Sequence, residues 1–248
     1  MRGLTHVSIL GAVVRAPSHS RNTNGTPFLD LQIAGERAMS DGRTMPWYLG
    51  VRLGGRWLEE RERYTPGAAV AVVGALEQFD APEHPRARVT RIVPERLEPV
   101  HGYPTAMMLE DRSGGRRMPG GVNRALMLAT LTRAPDRRTV ARRDLTSLAV
   151  AANMTQPGGR TPRTVYATLE AWDDLAFSAG RLERGAAVVA WGVLSDDAWR
   201  GDDGAARRTL TLTLDALEPL DAKPPATAAR PPADPFADCD ILGAAPTR

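Results

Sequence analysis

Gly67-Ala68-Ala69-Val70-Ala71-Val72-Val73-Gly74-Ala75-Leu76 returns 118 positions later as Gly185-Ala186-Ala187-Val188-Val189-Ala190-Trp191-Gly192-Val193-Leu194. The same offset carries Arg15-Ala16-Pro17 to Arg133-Ala134-Pro135 and Tyr48 to Tyr166. Unrelated coincidences would scatter, so three echoes at one offset mark a duplicated domain. Leu97-Glu98-Pro99 is echoed by Leu217-Glu218-Pro219 at an offset of 120, which places a short insertion in the second copy. The period is far too long for a solenoid. It suits two small domains of about 100 residues each.

Each copy reads as three strands, a short helix and two further strands. In the first copy Leu4 to Arg15 alternates, with Leu4, His6, Ser8 and Leu10 on one side and Thr5, Val7, Ile9 and Gly11 on the other. Asn22-Thr23-Asn24-Gly25 and Asp41-Gly42 are turn signals that bracket a strand from Pro27 to Arg37. Met45 to Leu53 follows, then a helix over Arg56 to Arg63 stopped by Pro66-Gly67. Val70 to Gln78 and Arg86 to Glu98 complete the set, joined by a loop from Phe79 to Pro85. The second copy places strands at Asn123 to Thr132, Asp144 to Ala152, Pro162 to Ala171, Ala186 to Leu194 and Arg207 to Leu217, with a helix over Asp173 to Leu182. This order predicts an all-β chain of two tandem OB-folds, five-stranded Greek-key barrels with a short helix between strands three and four. Gly74 and Gly192 lie inside strong strands, where a sharp bend or close approach would require them. The expected division is a first domain over 1–100, a Gly- and Pro-rich linker over 101–121, a second domain over 122–220 and a disordered tail over 221–248.

Of the 32 basic residues only Lys223 is a lysine, and the rest are arginines. Arginine pairs with phosphate and stacks on planar rings, yet coding bias produces the same excess, and a net charge of +3 points only weakly to an anionic partner. No run of about eighteen apolar residues offers a membrane span. The start of the chain alternates like a strand rather than carrying a signal-peptide core. The single cysteine, Cys239, excludes an internal disulfide and a cysteine-based zinc site. A cytoplasmic protein is expected.

Several motifs resemble the bacterial single-stranded DNA-binding proteins, in the form with two OB-folds per chain. The opening Thr5-His6-Val7-Ser8-Ile9-Leu10-Gly11-Ala12-Val13-Val14-Arg15-Ala16-Pro17 is similar to that family's first strand. Its usual Asn stands in the second copy as Asn123, where the Gly has become Ala129. Gly35-Glu36-Arg37, Asp41-Gly42-Arg43 and Pro46-Trp47-Tyr48 resemble the first domain of the two-fold form, and the repeated Gly67 to Leu76 and Gly185 to Leu194 resemble its fourth strand.

The resemblance implies sequence-tolerant binding of single-stranded DNA in replication, recombination and repair, with aromatic rings stacked on bases and basic side chains along the phosphates. It places stacking rings at Tyr48, Tyr166, Trp172 and Trp199. In the first copy Gly54 and about Ala81 stand opposite the two tryptophans, and Trp47 or Phe79 would have to substitute. Arg86, Arg88, Arg137, Arg138, Arg142, Arg143, Arg207 and Arg208 flank expected hairpin loops and are candidate phosphate contacts. Half-buried packing is the alternative for the strand tyrosines, and Trp57 and Trp191 read as core. The family assembles four OB-folds, so two per chain implies a homodimer. It also recruits replication and repair proteins through an acidic tip. Asp234-Pro235-Phe236 resembles that tip, but Ala237 to Arg248 follow it, so only weak recruitment is expected. A scaffold paralogue with weak DNA binding, or an OB protein preferring RNA, are the alternatives. Asp173-Asp174 reads as a helix start and Asp196-Asp197 and Asp202-Asp203 as turn residues. The four histidines lack ligand spacing and no catalytic signature is present. No enzyme, cofactor or metal is expected.

Overall fold

The computed structural model describes residues 3–22, 24–39, 42–81, 84–111, 113–154, 163–200 and 206–220, with backbone alone at 80, 81, 84–88, 197–200 and 206–208. The chain runs β1 (Leu4–Val13), β2 (Ser18–Arg21), β3 (Pro27–Ala38), β4 (Thr44–Leu53), two 3-10 turns (Gly55–Leu58 and Arg61–Arg63), β5 (Ala69–Ala81) and β6 (His84–Pro99). A connecting segment carries a 3-10 turn (Thr105–Met107) and the hairpin β7 (Leu109–Glu110) and β8 (Arg116–Arg117). The second copy is β9 (Val122–Leu131), β10 (Asp136–Val140), β11 (Arg143–Met154), β12 (Arg163–Trp172), α1 (Asp174–Ala179), β13 (Ala187–Arg200) and β14 (Ala206–Leu220).

Five strands of each copy close on themselves. In the first, β1 pairs with β3 and β5, β3 with β4, β5 with β6, and β4 meets β6 in parallel at Val51 and Ile92. In the second, β9, β11, β12, β14 and β13 repeat the circuit, with β12 parallel to β14. These are two OB-folds. Alternation on β1 falls as the sequence predicts: Thr5, Val7, Ile9 and Gly11 are buried, and Leu4 and His6 face out. Val7, Ile33, Val51 and Val72 fill the first barrel and Leu148, Leu169, Val188 and Leu212 the second, each 0–1% exposed. Burying each such side chain contributes about 1.5–3 kcal/mol.

The two barrels share one sheet. β1 pairs antiparallel with β9 from Leu4 opposite Leu128 to Leu10 opposite Val122. The duplication extends to a buried polar contact beside this seam. Gly74 and Gly192 sit at bulges, and a Cβ there would lie 2.3 Å from the Val93 oxygen and 2.0 Å from the Thr213 oxygen. Two residues further on, the Leu76 amide donates to Thr5 Oγ1 (2.9 Å) and the Leu194 amide to Asn123 Oδ1 (3.2 Å). Asn123 also donates to the Leu194 carbonyl (2.8 Å), whereas the Thr5 hydroxyl donates across the seam to Met154 Sδ (3.2 Å).

Several expectations are corrected. Arg56 to Arg63 is not an α-helix but two 3-10 turns. Only Trp57 and Leu58 pack on the core there, and the charged run after them supplies no apolar face to support a regular helix. The second helix does form, because Ala176 and Ala179 are buried, but it is shorter than Asp173 to Leu182. The segment expected as a loop from Phe79 to Pro85 is mostly strand, and β13 likewise continues to Arg200. Segment 101–121 is no open tether: Met108 and Met118 are buried against Ala12 and Ala69, and Met118 exchanges backbone hydrogen bonds with Ala34 and Glu36. Trp191 is 38% exposed rather than core, since alternation buries Val188, Ala190 and Gly192 and turns 189 and 191 outward. The tail from 221 to 248 lies outside the described residues. Among those described, no helix is long and apolar enough to cross a membrane.

The replacement of Gly11 by Ala129 has a packing cause. The Trp47 indole is buried, and Cβ atoms on Gly11 and Gly35 would fall 2.8 and 2.5 Å from it. Gly35 pairs with Trp47 on the adjacent strands, and the matching pair in the second barrel is Ala152 with Val165. One barrel fills the space with Gly, Gly and Trp, the other with Ala, Ala and Val. Gly35→Ala should therefore destabilise by about 1–3 kcal/mol through overpacking. Adding Gly11→Ala and Trp47→Val should recover part of the loss in urea unfolding. An equally stable Gly35→Ala protein would refute the packing account.

Candidate nucleic-acid interface

Tyr48 and Tyr166 occupy matching places, on β4 opposite Ala34 and on β12 opposite Ala151. Alternation turns both rings away from the barrel interiors, between buried neighbours on either side. Their surroundings differ. Tyr166 is 50% exposed. Tyr48 is half-buried, and its hydroxyl donates to Asp111 Oδ2 (3.1 Å) from the connecting segment. Burial, followed by the Asp111 carboxylate, pushes the Tyr48 phenol above the ordinary range.

Around Tyr48 two concavities meet. One, of about 510 Å³, is lined by Val14, Arg15, Gln32, Asp111, Ser113 and Arg117. The other, of about 200 Å³, runs over Ser18, Asp30 and Gly50 to Arg91 and Asp196, where the second barrel begins. Arg15, Gln32 and Tyr48 line both, so they form one groove across β3 and β4. At its far end Arg52 holds Asp30 through two 2.9 Å hydrogen bonds, and Arg91 lies 3.7 Å from Asp30 and 4.0 Å from Asp196. Asp196 is thus a partly buried strand residue in an ion pair between the barrels, not a turn residue.

The two rings named as substitutes for the first copy's missing tryptophans are both engaged within the protein. Trp47 is only 5% exposed, wedged into the glycine-lined space described above. Phe79 already carries a guanidinium: Arg52 lies 4.2 Å from its ring centre and 3.9 Å from that of Phe28. Arg163 of the second barrel approaches the same ring at 5.7 Å and pairs with Glu77.

In the second barrel Trp172 ends β12, with the Arg143 guanidinium 5.0 Å from its ring. Arg143 is also bound to Asp173 (2.6 Å), which lowers that carboxyl's pKa and raises that of the guanidinium. Asp173 therefore stands at the helix start without capping it. Arg137 and Arg138 lie on exposed β10, and Ala141 and Arg142 adopt positive φ to make the tight turn into β11. Trp199 lies near the end of β13 opposite Arg207, on a strand rather than in a loop. The side chains of Trp199, Arg86, Arg88, Arg207 and Arg208 lie outside the described residues, as do Asp234, Pro235 and Phe236.

Sequence reasoning missed Arg15, Arg91, Asp111 and Arg117, because the groove's walls come from segments read as strand end, strand and linker. It also missed Phe177, 52% exposed between Arg181 at 4.2 Å and Arg137 at 5.9 Å. The signal was present: Ala176 and Ala179 at helical spacing leave Phe177 on the outer face.

Two closed barrels, each presenting a tyrosine on the outer face of its third strand, define a tandem OB-fold protein. No protein-family model matches the chain. A single-stranded DNA-binding protein from Deinococcus radiodurans is 32% identical over 232 residues, covering 88% of this chain and 76% of that protein. The single-stranded DNA-binding protein of Thermus aquaticus is 30% identical over 240 residues, covering 93% and 90%. The crystal structure of the wild-type Thermus aquaticus protein superposes with a TM-score of 0.69 at 26% identity, covering 93% of this chain and all of that one. The chain belongs to the single-stranded DNA-binding protein family.

Asp173 holds Arg143 beside Trp172, and an aspartate there opposes a phosphate. Asp173→Asn should tighten binding of oligo-dT and steepen the slope of log affinity against log salt by about 0.7, one more phosphate neutralised. An unchanged slope would remove Arg143 from the interface.

Proposed function

We propose that the protein coats single-stranded DNA during replication, recombination and repair, without catalysing a reaction, in the cytoplasm. The observation that supports this is the repeated outward placement of a tyrosine on the third barrel strand, Tyr48 in a groove lined by Arg15, Arg91 and Arg117, and Tyr166 half exposed. Every base offers a π-face, so stacking tolerates any sequence, while arginines follow the backbone. Tyr48, Tyr166 and Trp172 are the platforms this reading uses, with Trp199 a fourth at the β13 end. Arg15, Arg137, Arg138, Arg142 and Arg143 are its phosphate contacts, joined by Arg86, Arg88, Arg207 and Arg208 along the two long hairpins.

A titration of poly-dT followed by tryptophan emission tests it. Single strands should quench the signal and binding should weaken as salt rises, with duplex and RNA competing poorly. Trp172→Ala and Trp199→Ala should each cost about 1–3 kcal/mol. Quenching by RNA alone would instead favour an RNA-binding role, and no response to any nucleic acid a scaffold. Deleting residues 224–248 should leave this titration almost unchanged, and also the few partner contacts, because Phe236 carries no terminal carboxylate.

The active form in this reading is a homodimer of four OB-folds. The outer face of the shared sheet exposes Leu4 (51%), Val122 (43%) and Trp191 (38%) around a concavity of about 400 Å³ lined by His6, Ser8, Arg124 and Leu126. This face lies over the antiparallel β1–β9 seam, so it is close to its own two-fold image and suits an isologous contact. Trp191→Glu should give a monomer in sedimentation equilibrium where the unaltered protein is a dimer. A variant that stays dimeric would place the interface elsewhere.

A further inference from the structure

The segment between the barrels does more than join them. Its hairpin is fastened at the base, where Met108 and Met118 are buried and the Arg116 amide donates to the Val14 carbonyl (3.1 Å). Its tip is folded around one carboxylate. Asp111 Oδ1 accepts from the Ser113 amide (2.8 Å), the Ser113 hydroxyl (2.7 Å) and the Gly115 amide (2.8 Å). The other oxygen is left for the Tyr48 hydroxyl. Arg117, paired with Glu36 at 2.7 Å, faces the same hydroxyl, and Arg15 donates to Ser113 Oγ (2.7 Å) to close the groove's end. The second barrel has no counterpart: no described segment covers Tyr166 in this way, and its ring stands open.

We propose that this hairpin is a built wall of the first barrel's single-strand groove, in which Asp111 and Arg117 are positioning residues for the Tyr48 ring. The inference rests on the single-stranded DNA reading above. The clasp holds the ring's hydroxyl edge while Tyr48 still lines the groove on both sides. A ring fixed before binding loses less side-chain freedom when a base stacks on it, and that difference appears as affinity. The first barrel lacks aromatic counterparts of Trp172 and Trp199, so preordering Tyr48 compensates for fewer rings. The Ser113 hydroxyl and then the backbone amides hold the Asp111 carboxyl at a pKa of about 2, against burial acting the other way. A depressed carboxyl contributes its stabilisation above the usual carboxylate range and loses it as pH falls towards 2. The clasp therefore persists at neutral pH.

The test uses the full chain and an oligo-dT probe. Tyr48→Phe and Asp111→Ala should each weaken binding about two- to tenfold, the range for one preordered side chain. The double variant should be no weaker than the worse single one, since both remove the same hydrogen bond. Tyr48→Phe leaves the Asp111 tip contacts in place, so it reads the clasp even if Asp111→Ala unravels the tip. Tyr103→Phe, at an exposed tyrosine of the connecting segment that lines neither concavity, should change nothing. In an NMR titration of the tyrosine ζ-carbons, the Tyr48 signal should titrate above the ordinary range and move down in Asp111→Ala. Additive losses, unchanged affinity, or tighter binding by Asp111→Ala would overturn the proposal while leaving the DNA-binding reading intact. Failure of the unaltered protein to bind oligo-dT would overturn that reading, and the proposal with it.

Discussion

The antiparallel pairing of β1 with β9 sets the geometry of everything else, because each strand serves two structures at once. On its inner face each lines a barrel, through Val7 and Ile9 in one and Ala125 and Met127 in the other. Along its edges each joins its own barrel and also its duplicate, so neither first strand is left as an exposed edge. An unpaired edge of this length would invite association with other chains. Once the seam is made, the Tyr48 and Tyr166 faces are held in a fixed relation, and cross-barrel contacts such as Gln78 Nε2 to the Tyr166 carbonyl (3.1 Å) can form.

The bulges at Gly74 and Gly192 belong to the same constraint. A barrel of five strands must coil sharply, and a bulge supplies the bend at the cost of breaking the ladder. The nearby amides of Leu76 and Leu194 lie in the buried interior and need an acceptor. Thr5 and Asn123 provide it from strands that also form the seam. The conserved geometry with different side chains shows what is required there: a buried oxygen on the first strand, not a particular residue. Asn satisfies the carbonyl as well, and the Thr hydroxyl spends its proton on Met154 instead.

How much was legible follows from which physics is local. Alternation, turn chemistry and the duplicated glycines are written in adjacent residues, so the barrel order and the two faces of β1 could be read directly. Helix over Arg56 to Arg63 could not, because propensity favoured it while tertiary packing withheld an apolar face. The groove was half legible. Tyr48 and Tyr166 follow from the repeat, and Trp172 and Trp199 only from the family resemblance. Arg91, Asp111 and Asp196 come together only when distant segments fold, and no spacing announces them. Trp191 was misread by weighing the apolar content of its strand over its phase. Trp47 was named as a substitute ring, yet it fills the space that Gly11 and Gly35 leave.

In a chain of nearly balanced charge, the guanidiniums beside the outward rings are paired rather than free. Three of them are held by carboxylates: Arg52 by Asp30, Arg117 by Glu36 and Arg143 by Asp173. A guanidinium has five N–H donors, and a bidentate carboxylate uses only two, so each can be fixed in place and still offer donors to a phosphate. A lysine ammonium could not be both oriented and shared in this way. The pairing lowers the field that a distant anion feels, which limits steering. It also keeps the cations ordered and beside aromatic rings, as with Arg143 at Trp172 and Arg52 at Phe28 and Phe79. Recognition on such a surface depends on close approach, where a phosphate competes with a carboxylate already in place. On the function proposed above, the strand that fits best is one flexible enough to put a base on Tyr48 or Tyr166 and its phosphates against nearby guanidiniums together, which a rigid duplex cannot do.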